Sequence, residues 1–522
     1  MFYIMRLIWC CCLLGLGVDL SSQTRLDSLY TLVRHDSRGD LIALDGEEII
    51  VIGSARDTSS SAVGIVFSRF SLDGELLISN YEFDGLVYFI NSNELIFYDS
   101  VVYVAPHMSW PPRFLLKYDR YSGEILEKIE IPSVKSSHPI VTPYGMGRVD
   151  INRFALVCII LEDHLINETQ ITLFDMRDGG MRHLHNAYPG YHQNMKYIEW
   201  KEDKIYLAGD LVKGDPNESN FDLRLTIVTL DTLGTELWRY ISPGLRGFTS
   251  DCFIEENGDI VIAHSFYKNY YNGAWWIPTC RPGISRIRAD GTIAWERPIG
   301  RNHYNDDAFD NRINVMLPAS AGDGYIIAGA QSNFSIEDYW AEPFVDTIAT
   351  GEYLQDDAII AKVSNEGDIL WTRTYSKVSG IYTDDIFFDM IYHPDGGYLL
   401  SGYVAEYIPG EPLVRTWLLY LDEYGCAVPG CQTVATENII GVDMPILIYP
   451  NPASAELFIY QTENGRQEYI IGDMSGKVID RFKGNTEGHT FIVDISAYPP
   501  GIYVITRTDD RGHSLSEKWV KN

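Results

Sequence analysis

The sequence predicts an all-β chain: a seven-bladed β-propeller followed by a small immunoglobulin-like β-sandwich. Three observations carry that expectation. A hairpin unit recurs along the body, with a turn glycine at 74, 123, 179, 234, 291, 367 and 425. Aromatic residues make up 13% of the 522 residues and glycine contributes 44, a composition that favours strands and turns. Past Cys431 the repeat stops and a different set of short strands begins.

Residues 1–23 read as a signal peptide. Arg6 gives a positive start, Leu7 to Val18 is an apolar stretch too short for a comfortable membrane span, and Ser21-Ser22-Gln23 offers a cleavage region. Trp9 directly before Cys10 argues against lipid attachment there. No later stretch is apolar over 18 residues, so the mature chain is not expected to span a membrane.

Residues 24–432 hold the repeat. Each unit pairs a run such as Gly324-Tyr325-Ile326-Ile327-Ala328-Gly329 with a hairpin such as Arg288-Ala289-Asp290-Gly291-Thr292-Ile293-Ala294-Trp295. Asp-Gly or X-Gly between alternating runs supplies the positive φ that a tight turn needs. The turn glycines are 49, 56, 55, 57, 76 and 58 residues apart, the long interval carrying an insertion around 335–355. A period near 50 with about four strands per unit is the propeller pattern. The last unit stops at Cys426 without its outer strand, so Ser28 to Arg34 is expected to complete it and close the ring. This repeat text resembles the Asp-x-x-Gly-x-x-x-Trp units of a broad propeller superfamily that includes pyrroloquinoline-quinone dehydrogenases. The mature chain lacks the adjacent cysteine pair expected beside that cofactor.

Residues 433–443 read as a linker, and 444–522 as a separate β-domain with six short alternating strands between turns. The motifs are Tyr449-Pro450-Asn451-Pro452, Gly472-Asp473-Met474-Ser475-Gly476-Lys477-Val478, Pro500-Gly501-Ile502-Tyr503-Val504 and the ending Lys518-Trp519-Val520-Lys521. In that order and spacing they resemble the type A sorting domain of the type IX (Por) secretion system. The resemblance implies passage through the periplasm, contact with the type IX machinery, removal of the domain, and release or anchoring to surface lipopolysaccharide.

The net charge is −31. Residues 441–522 hold 11 acids and 8 bases, so nearly all of that charge sits on the body. An acidic body disfavours nucleic acid and anionic membrane surfaces as partners. Five cysteines follow the signal region. Cys426 and Cys431 flank a tight turn and are candidates to close a small loop. Cys252 and Cys280 are candidates for a bridge across neighbouring strands, although spacing proves neither. Cys158 lies in an apolar run and reads as a buried free thiol.

No nucleophile elbow, zincin or phosphate loop occurs. No cofactor is expected, with calcium at the acidic loop Asp306, Asp307 and Asp310 as the weak exception. Asp251, Asp307 and Asp385 hold similar places ahead of three units, which favours a structural role for such acids. His183 and His185 would share one strand face, with His192 nearby in sequence, and the sequence places no third ligand beside that pair for a metal. Tyr267, Tyr270, Tyr271, Trp275 and Trp276 form an aromatic loop broken by Asn269, Asn272 and Gly273, suited to stacking on sugars or docking a protein. The leading expectation is therefore a secreted or surface protein that binds a polymer or protein without catalysis. The alternatives are a glycosidase-like hydrolase with acids drawn from separate blades, and a structural surface component.

Overall fold

The computed structural model describes residues 26–30, 35–57, 60, 62–83, 88–89, 94–108, 114–134, 141–160, 168–214, 222–244, 246–271, 276–299, 312–332, 355–377, 383–408, 411–427, 447–449, 453, 455–460, 467–473, 477–484, 490–508 and 514–521. The described residues form strands and turns with no α-helix. Contacts divide the chain into two compact units, Met1–Pro429 and Gly430–Asn522. The signal region and the 433–443 linker lie outside the described residues.

Among the described residues the first unit holds seven successive groups of antiparallel strands, and a separate two-stranded pair of Tyr88–Phe89 with His107–Met108. Group one holds His35–Ser37 and Leu41–Asp45 side by side along Glu48–Asp57, then Val63–Ser71 and Leu76–Glu82. Group two runs Ile96–Tyr98, Val101–Val104, Phe114–Asp119 and Ile125–Glu130. Groups three to five begin at Val141–Arg148, His192–Lys201 and Arg246–Ile254, each followed by three strands in chain order. Group six runs Arg312–Pro318, Gly324–Ser332, Gln355–Ser364 and Ile369–Tyr375. Group seven has Thr383–Tyr392, Tyr398–Ile408 and Glu411–Leu421. Two parallel pairs, Gln355 with Thr383 and Asp356 with Asp384, join groups six and seven into one eight-stranded sheet.

The fourth strand of group seven comes from the other end of the chain. Asp27–Tyr30 pairs antiparallel with Thr416–Leu419, in the group where the sequence places the Ser28–Arg34 segment. Residues 31–34 lie outside the described residues. From group three onward the first strand of each group lies beside the first strand of the next, and Thr383–Tyr392 lies beside Leu41–Asp45.

Two local devices recur. In groups three to seven the first strand carries a bulge, at Tyr144, Lys196, Phe248–Ser250, Asn314 and Phe388. Opposite some of these the second strand has a glycine for which no side chain has room: a Cβ on Gly329 would fall 2.0 Å from the Arg312 carbonyl oxygen, and on Gly402 1.9 Å from that of Ile386. The outer strand carries a second bulge, centred on Leu77, Leu126, Leu237, Ala294 and Leu370 in five of the groups. A bulge on an edge strand breaks the row of unpaired backbone groups that would recruit another strand.

The turn glycines explain why the sequence motif repeats as it does. Each adopts positive φ, and most are roofed by a side chain from the preceding group. Trp238 covers Gly291, Trp295 covers Gly367, Trp371 covers Gly425, Leu184 covers Gly234 and Phe67 covers Gly123. Leu26, just before the strand added to group seven, and Tyr30, at its end, cover Gly74 in group one. The tryptophan and glycine of one motif therefore do not serve each other; each tryptophan serves the following motif. Trp295 adds an Nε1–H bond to the Asn365 carbonyl at 3.0 Å.

This geometry gives a graded expectation. Gly367 has φ +87°, and a Cβ there would sit 2.7 Å from Trp295 Cδ2. Gly179 occupies the same turn position in group three at φ +75°, with nothing within 4 Å. Gly179→Ala should cost about 1 kcal/mol from its backbone alone, and Gly367→Ala about 3 kcal/mol once the indole is displaced as well. Thermal melts of the two variants check this; equal losses would show that the roof contributes nothing.

The second unit has two sheets. Leu447–Tyr449, Glu456–Tyr460 and Thr490–Asp494 form one; Val478–Gly484, Gln467–Asp473, Gly501–Thr508 and Ser514–Lys521, in that spatial order, form the other. Leu457, Ile459, Val493 and Ile495 pack with Tyr469, Ile471, Tyr503, Ile505 and Trp519 into one core.

Candidate functional site

The hairpin of group five departs most from its neighbours. Ile260–Tyr271 and Trp276–Ile287 are paired over twelve positions, from Ile260 with Ile287 to Tyr271 with Trp276. The first strand of the group reaches only Phe266, through Arg246. On the other side the outer strand ends at Pro298, opposite Gly283, and Ile299 N–H adds a bond to the Pro282 carbonyl at 2.8 Å. Five further pairs, Tyr267 with Cys280 to Tyr271 with Trp276, continue as a two-stranded ribbon without a third strand among the described residues. At ~3.3 Å per residue the ribbon runs on for about 17 Å. The corresponding hairpin of group four extends only one pair beyond its first strand, and that of group seven two.

Tyr267, Tyr270 and Tyr271 therefore belong to a continuous strand and Trp276 begins its partner, which corrects the expectation of a loop. The two-residue strand period puts Tyr267, Tyr271 and the cross-strand Trp276 at positions of one face, and Tyr270 at the other. Trp275 lies outside the described residues. At the ribbon's root, His264 Nε2 meets Ser285 Oγ at 2.6 Å and the His264 ring contacts Phe266. His264 and Ser285 are both buried.

The same register corrects one cysteine pairing. Cys252 faces Ile262, whereas Cys280 faces Tyr267, five positions farther along the middle strand. Cys252 is a buried free thiol, as is Cys158, so the Cys252–Cys280 bridge is not formed. Burial pushes the Cys158 thiol up to about 12. Cys426 is buried and is not a free thiol, and Cys431 lies outside the described residues.

The acids of the first strands act as staples between groups. Met316 N–H of group six donates to Asp251 Oδ2 of group five at 2.8 Å, and Ile42 N–H of group one donates to Asp389 Oδ2 of group seven at 2.9 Å. Each second oxygen takes the following backbone N–H, from Cys252 and Met390. Asp251 thus corresponds to Asp389, each following its strand's bulge, and not to Asp385 as the sequence spacing suggested. Glu94 of group two receives Arg148 N–H of group three at 3.2 Å. Burial raises the Glu94 and Asp251 carboxyls, and nearby charges add to it: Glu199 in both cases and Asp389 in that of Asp251.

Asp385 is different. It is fully buried, Oδ2 accepts Lys377 N–H at 2.7 Å, the Ser376 side chain also bonds the carboxyl, and Oδ1 has no hydrogen-bond partner among the described residues. Burial pushes its carboxyl up to about 7, the Asp357 and Asp384 charges add, and the Lys377 bond opposes them. The folded chain then holds a proton that the unfolded chain releases near pH 4. Folded Asp385 binds more protons than unfolded Asp385 between about pH 4 and pH 7, so its contribution to stability is present below that window and lost as pH rises through it. The melting temperature of Asp385→Asn should therefore vary less with pH across that window than that of the parent chain. Parallel curves would refute the assignment.

Other sequence candidates are placed without forming a site. His183 Nδ1 lies 3.0 Å from Thr172 Oγ1, and His185 pairs with Glu168 on the same strand pair. Asp306, Asp307 and Asp310 lie outside the described residues. Of the sorting motif, Tyr449 ends the first strand of its sheet; Pro450, Asn451, Pro452 and Gly476 lie outside the described residues. Pro500 and Gly501 lead into the strand that carries Tyr503, whose hydroxyl donates to the Pro499 carbonyl at 2.7 Å and whose ring stacks on Trp519 at 4.9 Å. Lys521 is buried and Lys518 half-buried.

No curated protein sequence matches the chain. Among solved structures, an ACO/RPE65 chimera is similar at 10% identity with a TM-score of 0.41, covering 76% of this chain and 93% of that one. Cobalt-substituted Synechocystis apocarotenoid oxygenase is similar at 11% identity and 0.42, covering 77% and 88%. At these scores neither likeness bears on the activity of this chain. Residues 447–522 match the family described as the secretion system C-terminal sorting domain, and the chain is accordingly exported through the type IX system to the cell surface or the extracellular space.

Proposed function

We propose that the exported body is a non-catalytic binding protein, a seven-bladed propeller that recognises a polymer or protein through the group-five ribbon. The observation that carries this reading is the five-pair extension of an aromatic hairpin beyond its sheet. Isolated two-stranded ribbons are marginal in water, and aromatic side chains, with few rotatable bonds, offer wide contact area at low entropic cost. The succession of first strands side by side from group three to group seven and on to group one supports the propeller reading, as does the N-terminal strand in group seven. In this reading residues 1–23 are a signal peptide, 24–432 the propeller, 433–443 a linker and 444–522 an immunoglobulin-like sorting domain. Cys426 and Cys431 close the loop at the joint. The body is released or held on surface lipopolysaccharide once the sorting domain is removed.

Replacing residues 268–279 by Asn-Gly, a two-residue hairpin turn, should leave the melting temperature nearly unchanged. Retention of the purified chain on insoluble cellulose, chitin or peptidoglycan sacculi should fall at least about tenfold, because stacked aromatics concentrate binding energy in a few residues. A ribbonless chain retained as well as the parent would sink the proposal.

A further inference from the structure

We propose that a second ligand site lies between groups three and four, where Thr169, Gln193 and Arg239 hold the hydroxyl groups of a neutral sugar. The site is separate from the group-five ribbon and does not depend on it.

The strand pattern brings these side chains together. Ile171 and Leu184 of group three pack with Met195 and Val228 of group four in one core. The two-residue period carries the same side onward to Thr169 on Glu168–Asp175, to Asn186 on Met181–Asn186 and to Gln193 on His192–Lys201. Arg239, on Glu236–Ile241, is paired with Val228. Asn186 gathers the set. It lies opposite Thr169 in register, and its Oδ1 accepts Gln193 Nε2–H at 3.3 Å and Arg239 Nη2–H at 3.0 Å. Its Nδ2–H donates to Glu236 Oε2 at 3.3 Å.

Three polar atoms of this cluster have no hydrogen-bond partner among the described residues: Thr169 Oγ1, Gln193 Oε1 and Arg239 Nη1. Thr169 and Gln193 are fully buried, and the Arg239 side chain is 7% exposed. A buried polar group without a bond is costly, and such groups are normally satisfied. Three of them round one asparagine mark a place left for a ligand.

The unspent atoms specify what that ligand offers. Arg239 Nη1 only donates, Gln193 Oε1 only accepts, and the Thr169 hydroxyl does either. The guanidinium charge is already met by Glu236, through Nε to Oε1 at 3.0 Å and Nη2 to Oε2 at 2.6 Å. An anion would therefore find an offset charge and would face the Gln193 carbonyl, while a cation would face Arg239. Hydroxyl groups both donate and accept, so they serve all three atoms. The cover of the site is aromatic. The Tyr188 ring lies over the Arg239 guanidinium, 4.8 Å from its centre, and neighbours the Tyr191 ring at 5.6 Å. Ala187, Pro189 and Gly190 of the same short segment are exposed, and a Cβ on Gly190 would meet nothing within 4 Å. The roof is thus one outward-facing turn with open space beside it.

The test uses the purified full-length chain with free D-glucose, D-galactose, D-mannose and N-acetyl-D-glucosamine, read by saturation-transfer NMR and by thermal shift. At least one sugar should bind saturably and raise the melting temperature, as a ligand of the folded chain does. Thr169→Val and Gln193→Met keep the shape of the side chains and remove the unspent atoms. Each should weaken that sugar at least about tenfold. Thr169→Val gives up no side-chain bond within the chain, so the melting temperature of the unliganded variant should hold or rise. A fall in that temperature with no sugar bound would mean that buried water alone satisfies the site, and would overturn the proposal. It is equally overturned if none of the sugars binds, if D-glucuronate or sulfate binds in their place, or if both variants bind as the parent does. Sugar binding that disappears when residues 268–279 are replaced by Asn-Gly would move the ligand to the ribbon; this inference would then fall while the reading of the ribbon stood.

Discussion

A chain lacking residues 444–522 should fold, resist protease and remain in the periplasm. The expectation of independent folding comes from the contacts: the chain divides at 429/430, and the core of the second unit draws every member from residues 453–519. No apolar side chain of the first unit's cores is removed by the cut. Loss of export should be close to complete, because residues 447–522 are the part that matches the sorting family. Fractionation with a blot against the body measures both halves of the claim. Truncated protein in the medium would contradict the role of the domain, and unfolded, degraded protein would contradict the independence of the body.

Removing residues 24–36 should damage the body more than any single substitution. Tyr420 N–H donates to the Leu26 carbonyl at 2.8 Å, Trp417 Nε1–H donates to Asp27 Oδ1 at 3.0 Å, and Lys377 pairs with Asp27 at 2.6 Å. Tyr30 packs on Phe70 with centroids 4.5 Å apart, and its hydroxyl bonds the Gly74 carbonyl. Leu26 is buried in a cluster that draws on both ends of the unit: Ile42, Ile49, Val51 and Phe70 with Leu399 and Leu418. Truncating a buried leucine and a packed tyrosine costs about 2–5 kcal/mol each. Exposing the Glu411–Leu421 edge then adds a route to aggregation. The double variant Leu26→Ala, Tyr30→Ala keeps the strand but empties the joint, and should give at least half of the loss. A melting temperature unchanged by both would mean that the ends of the unit are not joined through this strand.

Much of the architecture was legible because turn chemistry is local. The glycines at 74, 123, 179, 234, 291, 367 and 425 all adopt positive φ, the first six in hairpin turns, and even the degenerate units at 93–98 and 152–157 contain strands, Ile96–Tyr98 and Arg153–Ile160. In the second unit alternation places strands at Glu468 to Gly472 and Ser514 to Val520, and the structure has Gln467–Asp473 and Ser514–Lys521; the short strand Leu447–Tyr449 was not expected. What escaped was relational. The bulges at Lys196 or Leu237 leave no mark in composition, because any residue can be the extra one. The Asp251–Asp389 correspondence was hidden for the same reason: a bulge shifts spacing without changing residue type. The ribbon at 267–280 looked like a loop because Asn269, Asn272 and Gly273 interrupt a hydrophobic pattern, and a ribbon with no sheet beside it has no buried face to impose one. Cys252 and Cys280 seemed near neighbours because sequence distance says nothing of how far a strand overshoots its sheet.

The seating of Trp238, Trp295 and Trp371 on the glycines of the following group sets the repeating segment out of phase with the sheet. A stretch cut from one turn glycine to the next carries the outer strand of one group and the inner strands of another, so the segment that is copied is not the sheet that packs. Duplication of such a stretch inserts a matched donor and acceptor together and leaves every seat filled. Insertion of one whole sheet, from first strand to last, also imports a tryptophan, but it must fit a glycine turn with which it has not been matched. At the joint between Tyr30 and Gly74 the donor lies near the start of the chain and the acceptor in the first repeat, while the strand that carries the donor pairs with the last repeat. An added or deleted segment is thus accommodated only inside the chain, and the two ends stay committed to each other whatever the number of repeats between them.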